Sequence, residues 1–123
     1  MSAAFDDSTP IYLQIAEQIE DQILRGDLRE GDQVMSTNQY AAFYRINPAT
    51  VAKGFHQLVA DGILYKKRGI GMFVSEGAAE TLRARRRERF FSDVVDPMLE
   101  EARMIGVSPD EIIARIRGAG ARR

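Results

Sequence analysis

The sequence has no cysteine, which removes disulfides and thiol chemistry and fits a cytoplasmic protein. It has one histidine, His56, so a transition-metal site built from protein side chains would need carboxylates almost alone. No apolar run approaches the ~18 residues of a membrane-spanning helix. The opening MSAAFDDSTP has neither the basic flank nor the apolar centre of a secretory leader. No charge of one sign dominates either: 17 Lys and Arg stand against 18 Asp and Glu. What remains is an intracellular chain of 123 residues, 45% hydrophobic, suited to one compact domain with a short appendage. The same inventory argues against an enzyme, a bound metal and a cofactor. There is no thiol and no supported histidine, and the carboxylates are scattered over caps, turns and solvent faces instead of paired in a cleft.

Near-neutrality at first argues against a nucleic-acid partner, but the charges are not evenly spread. Residues 1–35 hold eight acids and two bases, Arg25 and Arg29. Residues 45–89 hold ten bases, among them Arg45, Lys53, Lys66, Lys67 and Arg68, against four acids. Contact with phosphates requires a local positive face, not a basic average.

Helix signals recur along the chain. Thr9-Pro10 reads as a hydroxyl cap followed by proline at the first helical position. Tyr12, Ile15, Ala16, Ile19 and Ile23 then follow at three- and four-residue spacing, with Gly26 as a left-handed stop. Leu28 to Asp32 reads as a turn-rich connection. Ser36, with Gln39 three residues on, forms a capping box for a second helix. Tyr40, Ala41 and either Phe43 or Tyr44 supply its inward face, and Arg45-Ile46 make the turn. Asn47-Pro48 open a third helix with buried positions Val51, Phe55, Leu58 and Val59, which Gly62 stops. Ile63-Leu64-Tyr65 and Met72-Phe73-Val74 read as short strands flanking KKRGIG, where Gly69 and Gly71 take turn conformations.

That order is the grammar of a winged helix-turn-helix, a module that places one helix in the DNA major groove. If Val51, Phe55, Leu58 and Val59 face the core, then Ala49, Thr50, Lys53 and Gln57 face outward, with Asn47 at the helix start. Small and polar groups there can approach base edges, and Lys53 can reach a phosphate or a guanine edge. Read alone, the same face is equally a solvated helix surface. The basic hairpin adds weight: Lys66, Lys67 and Arg68 before two glycines suit a loop laid against a backbone or in a minor groove, although charge at a hairpin tip also guards against edge pairing. Arg83, Arg85, Arg86, Arg87 and Arg89 read better as a solvated helix surface beside Glu80 and Glu88 than as a second phosphate contact. His56 reads as a packing or surface residue.

Beyond Gly77 the character changes. Phe91, Val95, Met98, Ala102 and Ile105 are spaced as a heptad seam of about two repeats, interrupted at Asp96-Pro97, where a kink or restarted helix is expected. Gly106 closes that section. Ser108 and Glu111 form a capping box for a last helix expected to bury Ile112, Ile113 and Ile116, and residues 118–123 look frayed. The expected fold class is therefore α+β: a winged helix-turn-helix over residues 1–77 and a short helical dimerisation tail over 78–123. The seam suits pairing with a second copy or packing within the chain.

Taken together, PIYLQIAEQIEDQILRGDLREGDQV, INPATVAKGFHQLVADGIL and RGIGMFV resemble the GntR family of bacterial transcription regulators, most closely its short YtrA-type subfamily. The resemblance covers nearly the whole chain. It implies a sequence-specific repressor, often of a nearby transporter operon, that binds an inverted-repeat operator as a homodimer. It implies DNA-proximal positions at Asn47, Ala49, Thr50, Lys53, Arg68, Gly69 and Gly71, and weaker ones at Ser36 and Asn38. The dimer interface would involve Phe91, Val95, Met98, Ala102, Ile105, Ile112 and Ile116. Four positions depart from the family pattern: Asn38 stands where arginine is common, Val34-Met35 replaces Leu-Pro before Ser36, and Met72 replaces the wing threonine. These affect the expected operator sequence. Longer relatives carry an effector domain after the wing, and some 45 residues are too few for one. Any small-molecule effector is expected at the dimer interface or between tail and DNA-binding part. A reading from another class is a winged-helix protein-interaction module, which retention of Lys53 and Arg68 disfavours.

Overall fold

The computed structural model describes residues 5–121, which form two compact units, one ending at Ala84 and the other beginning at Arg85. The first is a winged helix-turn-helix. Helix α1 (Ile11–Arg25) buries Ile15, Ala16, Ile19 and Ile23 along one face, and Gly26 ends it at φ 86°. The expected threonine cap does not form. Pro10 takes the N-cap position, so Thr9 lies one residue too early to reach the first free amides. The Gln14 side chain instead turns back and donates to the carbonyls of Thr9 and Asp6 at 2.7 and 2.8 Å.

Helix α2 (Thr37–Tyr44) begins with the expected reciprocal box: Gln39 N–H donates to Ser36 Oγ at 3.0 Å, and Ser36 N–H to Gln39 Oε1 at 2.9 Å. Tyr40 and Ala41 are buried and Tyr44 is partly buried, whereas Phe43 is 67% exposed. At about 100° per residue, positions 40, 41 and 44 share one arc and 43 falls outside it. Tyr44, not Phe43, therefore completes the inward face. Tyr40 packs edge-on against Phe55, with ring centroids 5.7 Å apart, and its hydroxyl donates to the Gln18 side chain. Burial, then the neighbouring Tyr44, pushes the Tyr40 phenol above its ordinary value.

Arg45 turns the chain at φ 57°, and Ile46 N–H bonds the Ala41 carbonyl at 2.9 Å. Helix α3 (Pro48–Ala60) follows at once, burying Val51, Gly54, Phe55 and Leu58 against α1 and α2. Burying a side chain the size of Phe55 or Leu58 contributes about 1.5–3 kcal/mol. Gly54 is required by the α1–α3 crossing, because a Cβ there would lie 2.8 Å from the Tyr12 carbonyl oxygen.

Strands β1 (Leu64–Lys67) and β2 (Gly71–Val74) pair antiparallel, Leu64 opposite Val74 and Lys67 opposite Gly71. The ladder extends past the apolar residues that suggested it, so Lys66 and Lys67 lie in a strand and not at the tip. Ile63 precedes the strand and is fully buried. The segment before α2 supplies a third edge that was expected only as a turn-rich connection. Gly31 and Val34 N–H groups bond the Val74 and Met72 carbonyls at 2.8 and 2.9 Å, and Gln33 bridges Phe73.

Helix α4 (Ala78–Phe90) places Ala78 and Leu82 in the core of the first unit, which therefore extends beyond residue 77. In the second unit a π-turn spans Phe91–Val95, closed by Asp96 N–H to the Phe91 carbonyl, and leads into α5 (Asp96–Ile105) with Pro97 in its first turn. In a regular helix the proline ring would meet the carbonyl four residues back; the wider turn accommodates it. Gly106 ends α5 at φ 79°. Ser108 and Glu111 form a reciprocal box, with bonds of 3.0 and 3.2 Å, that starts α6 (Pro109–Ala121).

Two expectations for this unit change. Helix α6 runs on through residues 118–121, which were expected to lie outside regular structure, while 122 and 123 lie outside the described residues. Ile112 is only partly buried, and Ile113 and Ile116 are 43% and 63% exposed, so α6 does not bury the three isoleucines as expected.

Candidate nucleic-acid interface

The geometry of α3 follows from its first two residues. Asn47 Oδ1 accepts the Ala49 N–H at 2.7 Å, and Pro48 occupies the first helical position, where no amide hydrogen is missed. This cap commits Asn47 Oδ1 to the backbone and leaves its amide nitrogen for outside contacts. Beyond the cap, Ala49, Lys53, His56, Gln57 and Ala60 are exposed along one stripe, opposite Val51, Phe55 and Leu58. Thr50 sits at the edge of that stripe and is half-buried. His56 thus faces outward with Lys53. Its spacing from residues 49, 53 and 60 carried that signal, which its neighbour Phe55 obscured.

Lys53 is not extended into solvent. Its Nζ lies 4.2 Å from the centroid of the Tyr12 ring on α1, a cation–π contact. Lys67 likewise folds over Phe73, with Nζ 4.9 Å from the ring centroid, and Tyr65 stacks beside that ring at 5.8 Å. The outward face of the hairpin is therefore aromatic with a basic cover.

The hairpin tip is Arg68-Gly69-Ile70, all exposed, closed by Ile70 N–H to the Lys67 carbonyl at 2.9 Å with Gly69 at φ 76°. Gly71 lies within β2 beside the Gln33 side chain. Ser36 and Asn38 are exposed at the start of α2, and the Ser36 oxygen is already engaged by its capping box. Gln33 escaped the sequence reading entirely, because its partner Ile70 is far away in the chain. Among the described residues no group of three or more His, Asp or Glu side chains could hold a metal ion, and no helix is long and apolar enough to cross a membrane.

A helix-turn-helix with an outward polar stripe beside a basic hairpin defines a class of DNA-binding regulator. Residues 11–74 match the family of bacterial regulatory proteins designated gntR, and the chain belongs to that family. It is 40% identical over 75 residues to the HTH-type transcriptional repressor YtrA of Bacillus subtilis, covering 61% of this chain and 58% of that protein. A GntR family transcriptional regulator from Listeria monocytogenes superposes with a TM-score of 0.75 at 28% identity, covering 93% of this chain and 98% of the other. The DNA-binding domain of AraR in complex with operator ORX1 superposes with a TM-score of 0.55 at 26% identity, covering 58% of this chain and 93% of that one. The chain is thus a DNA-binding transcription regulator and not an enzyme.

Proposed function

We propose that the chain is a cytoplasmic repressor that binds an inverted-repeat operator as a homodimer, with α3 reading bases and the wing gripping the backbone. The observation that carries this reading is the exposed stripe of α3, from Asn47 and Ala49 through Lys53 to Gln57, held out by a cap-and-proline start. Asn47, Ala49, Thr50 and Lys53 set sequence preference. Arg68 and Gly69 supply sequence-independent contacts, and Ser36 and Asn38 add phosphate contacts at the start of α2. The likeness to the YtrA repressor supports repression over activation. A two-fold dimer would read half-sites about one DNA turn apart.

Residues beyond the winged core form the dimerisation tail in this proposal. Its support is the apolar surface of α5 and α6, where Met98, Ile105 and Ile116 are exposed in the single chain. Ala102, at 7% exposure in the single chain, has little area left to add to such an interface. A small-molecule effector that releases the operator belongs, on this reading, in the tail. The cleft between α5 and α6 lined by Leu99, Ala102, Val107 and Ile112, about 540 Å³ in volume, is the place for it.

Fluorescence-anisotropy titration of the protein's own upstream DNA and a shuffled control, across several salt concentrations, tests the proposal. Tighter saturable binding to the native fragment at two chains per site is the expected result. Equal, steeply salt-dependent binding to both would reduce the protein to a basic DNA-associating surface. No binding to either would favour a protein-interaction module.

A further inference from the structure

Within the hairpin, the exposed turn Arg68-Gly69-Ile70 is closed by the Ile70 N–H to Lys67 carbonyl bond above the Lys67–Gly71 pair, and a contact from a distant segment adds to it. That contact comes from Gln33. Gln33 lies between α1 and α2, and its backbone is registered on β2: it bridges Phe73, flanked by Gly31 N–H to the Val74 carbonyl and Val34 N–H to the Met72 carbonyl. From that fixed point its side chain runs along the strand to the tip, where Nε2 donates to the Ile70 carbonyl at 3.0 Å. Gly71 keeps the path clear. A Cβ at Gly71 would sit 2.5 Å from Gln33 Nε2, and Gly71 also holds φ 145°, a conformation that side chains disfavour.

We propose that Gln33 is the positioning residue that aims the wing, holding Arg68-Gly69-Ile70 in one orientation before DNA arrives. The proposal rests on the DNA-contacting wing described above. Gln33 is exposed, and the backbone bonds on either side hold the sheet edge without its side chain. Losing an exposed neutral hydrogen bond costs the fold little, because water replaces the partner. What is lost is pre-organisation: a loosened tip must be ordered during binding, and that entropy is subtracted from affinity.

The test uses the full chain with Gln33→Ala, Gln33→Met (similar in shape, without the donor), Arg68→Ala and the Gln33→Ala/Arg68→Ala double variant. Operator affinity is measured by anisotropy, Tm by thermal denaturation, and tip order by ¹⁵N relaxation of the Gly69, Ile70 and Gly71 amides in the free protein. The expected result is a Tm lowered by no more than a few degrees, faster tip motion, and affinity lowered about three- to tenfold by either Gln33 variant, the range set by one hydrogen bond. The double variant should bind no more weakly than Arg68→Ala alone, because a misaimed wing and a missing wing arginine are one defect. Multiplying losses, or tip amides as ordered as in the parent, would overturn the proposal. If Arg68→Ala itself leaves affinity unchanged, the DNA-contacting wing is wrong and the role of Gln33 falls with it. If Arg68→Ala weakens binding and Gln33→Ala does not, only the role of Gln33 is wrong.

Discussion

The Lys53 ammonium rests on the face of the Tyr12 ring, 4.2 Å from its centroid, which ties the outward stripe of α3 to α1. An exposed cation–π contact of this kind is worth about 0.5–1 kcal/mol. In the proposed complex Lys53 leaves the ring to meet DNA, so that energy opposes binding. Tyr12→Leu should therefore raise operator affinity about two- to fivefold, the factor that energy represents. Tyr12→Phe, which keeps an aromatic face, should leave it near the parent value. Anisotropy titrations at a single low salt concentration compare the three. An affinity for Tyr12→Leu equal to or below that of the parent would mean Lys53 keeps its seat on the ring when DNA binds.

Gly54 yields a prediction that runs against helix propensity. Alanine in a helix interior is favoured over glycine by about 1 kcal/mol. Here, however, the new methyl would lie 2.8 Å from the Tyr12 carbonyl oxygen and 3.2 Å from Ile15 Cγ2, both on the helix that α3 crosses. Overpacking of this kind costs about 1–3 kcal/mol. Gly54→Ala should lower Tm and the urea midpoint; a stabilised variant would show that the two helices can part at no cost.

This glycine also marks the limit of what could be read from residue order. Most features whose partners are near in sequence were legible, Thr9-Pro10 excepted: the Ser36–Gln39 and Ser108–Glu111 boxes, Asn47-Pro48, and the stops at Gly26 and Gly106 each need only a few adjacent residues. The core stripe of α3 was legible too, since 3.6-residue periodicity exposes it. Gly54 facing Tyr12 and Gln33 reaching Ile70 depend on how distant segments meet, and neither residue type announces a partner. Phe43 was ambiguous by composition and resolved by angle. The isoleucines of α6 were expected inside because they are apolar, yet Ile113 and Ile116 are exposed and Ile112 is only partly buried.

Tyr40 makes stability depend on alkaline pH. Its phenol is held above its ordinary value by burial and by Tyr44, while in the unfolded chain it ionises near the reference value of about 10. The folded state therefore holds the proton more tightly. The associated stability is fully present below about pH 10 and is lost as pH rises beyond it, by up to about 1.4 kcal/mol per pH unit. Urea denaturation between pH 8 and 11 should show this decline. Tyr40→Phe should remove its contribution to the slope, while costing about 1 kcal/mol at neutral pH through loss of the bond to Gln18. A parent and variant with parallel pH profiles would contradict it.

The apolar surface of the tail gives the last prediction. Phe91 is 66% exposed, and Met98, Ile105 and Ile116 are also open to water in the single chain. The π-turn at Phe91–Val95 breaks the heptad register between Phe91 and Met98, so the proposed pairing surface would not follow a single coiled-coil seam. A second copy laid on it would bury several large side chains, each worth about 1.5–3 kcal/mol. Placing a charge there should split the proposed dimer, since an unpaired charge in an apolar interface is costly to desolvate. Ile105→Asp is expected to sediment as a monomer at concentrations where the parent is a dimer. Its winged unit should stay folded, because Ile105 is outside that core. The monomer should bind a single half-site as the parent unit does, but lose the tighter binding to the paired site that comes from engaging both halves at once. Sedimentation velocity together with titrations on half- and full-site DNA reads both effects. A variant that remains dimeric would move the interface off this face, and a monomer that keeps full-site affinity would remove the need for pairing in operator recognition.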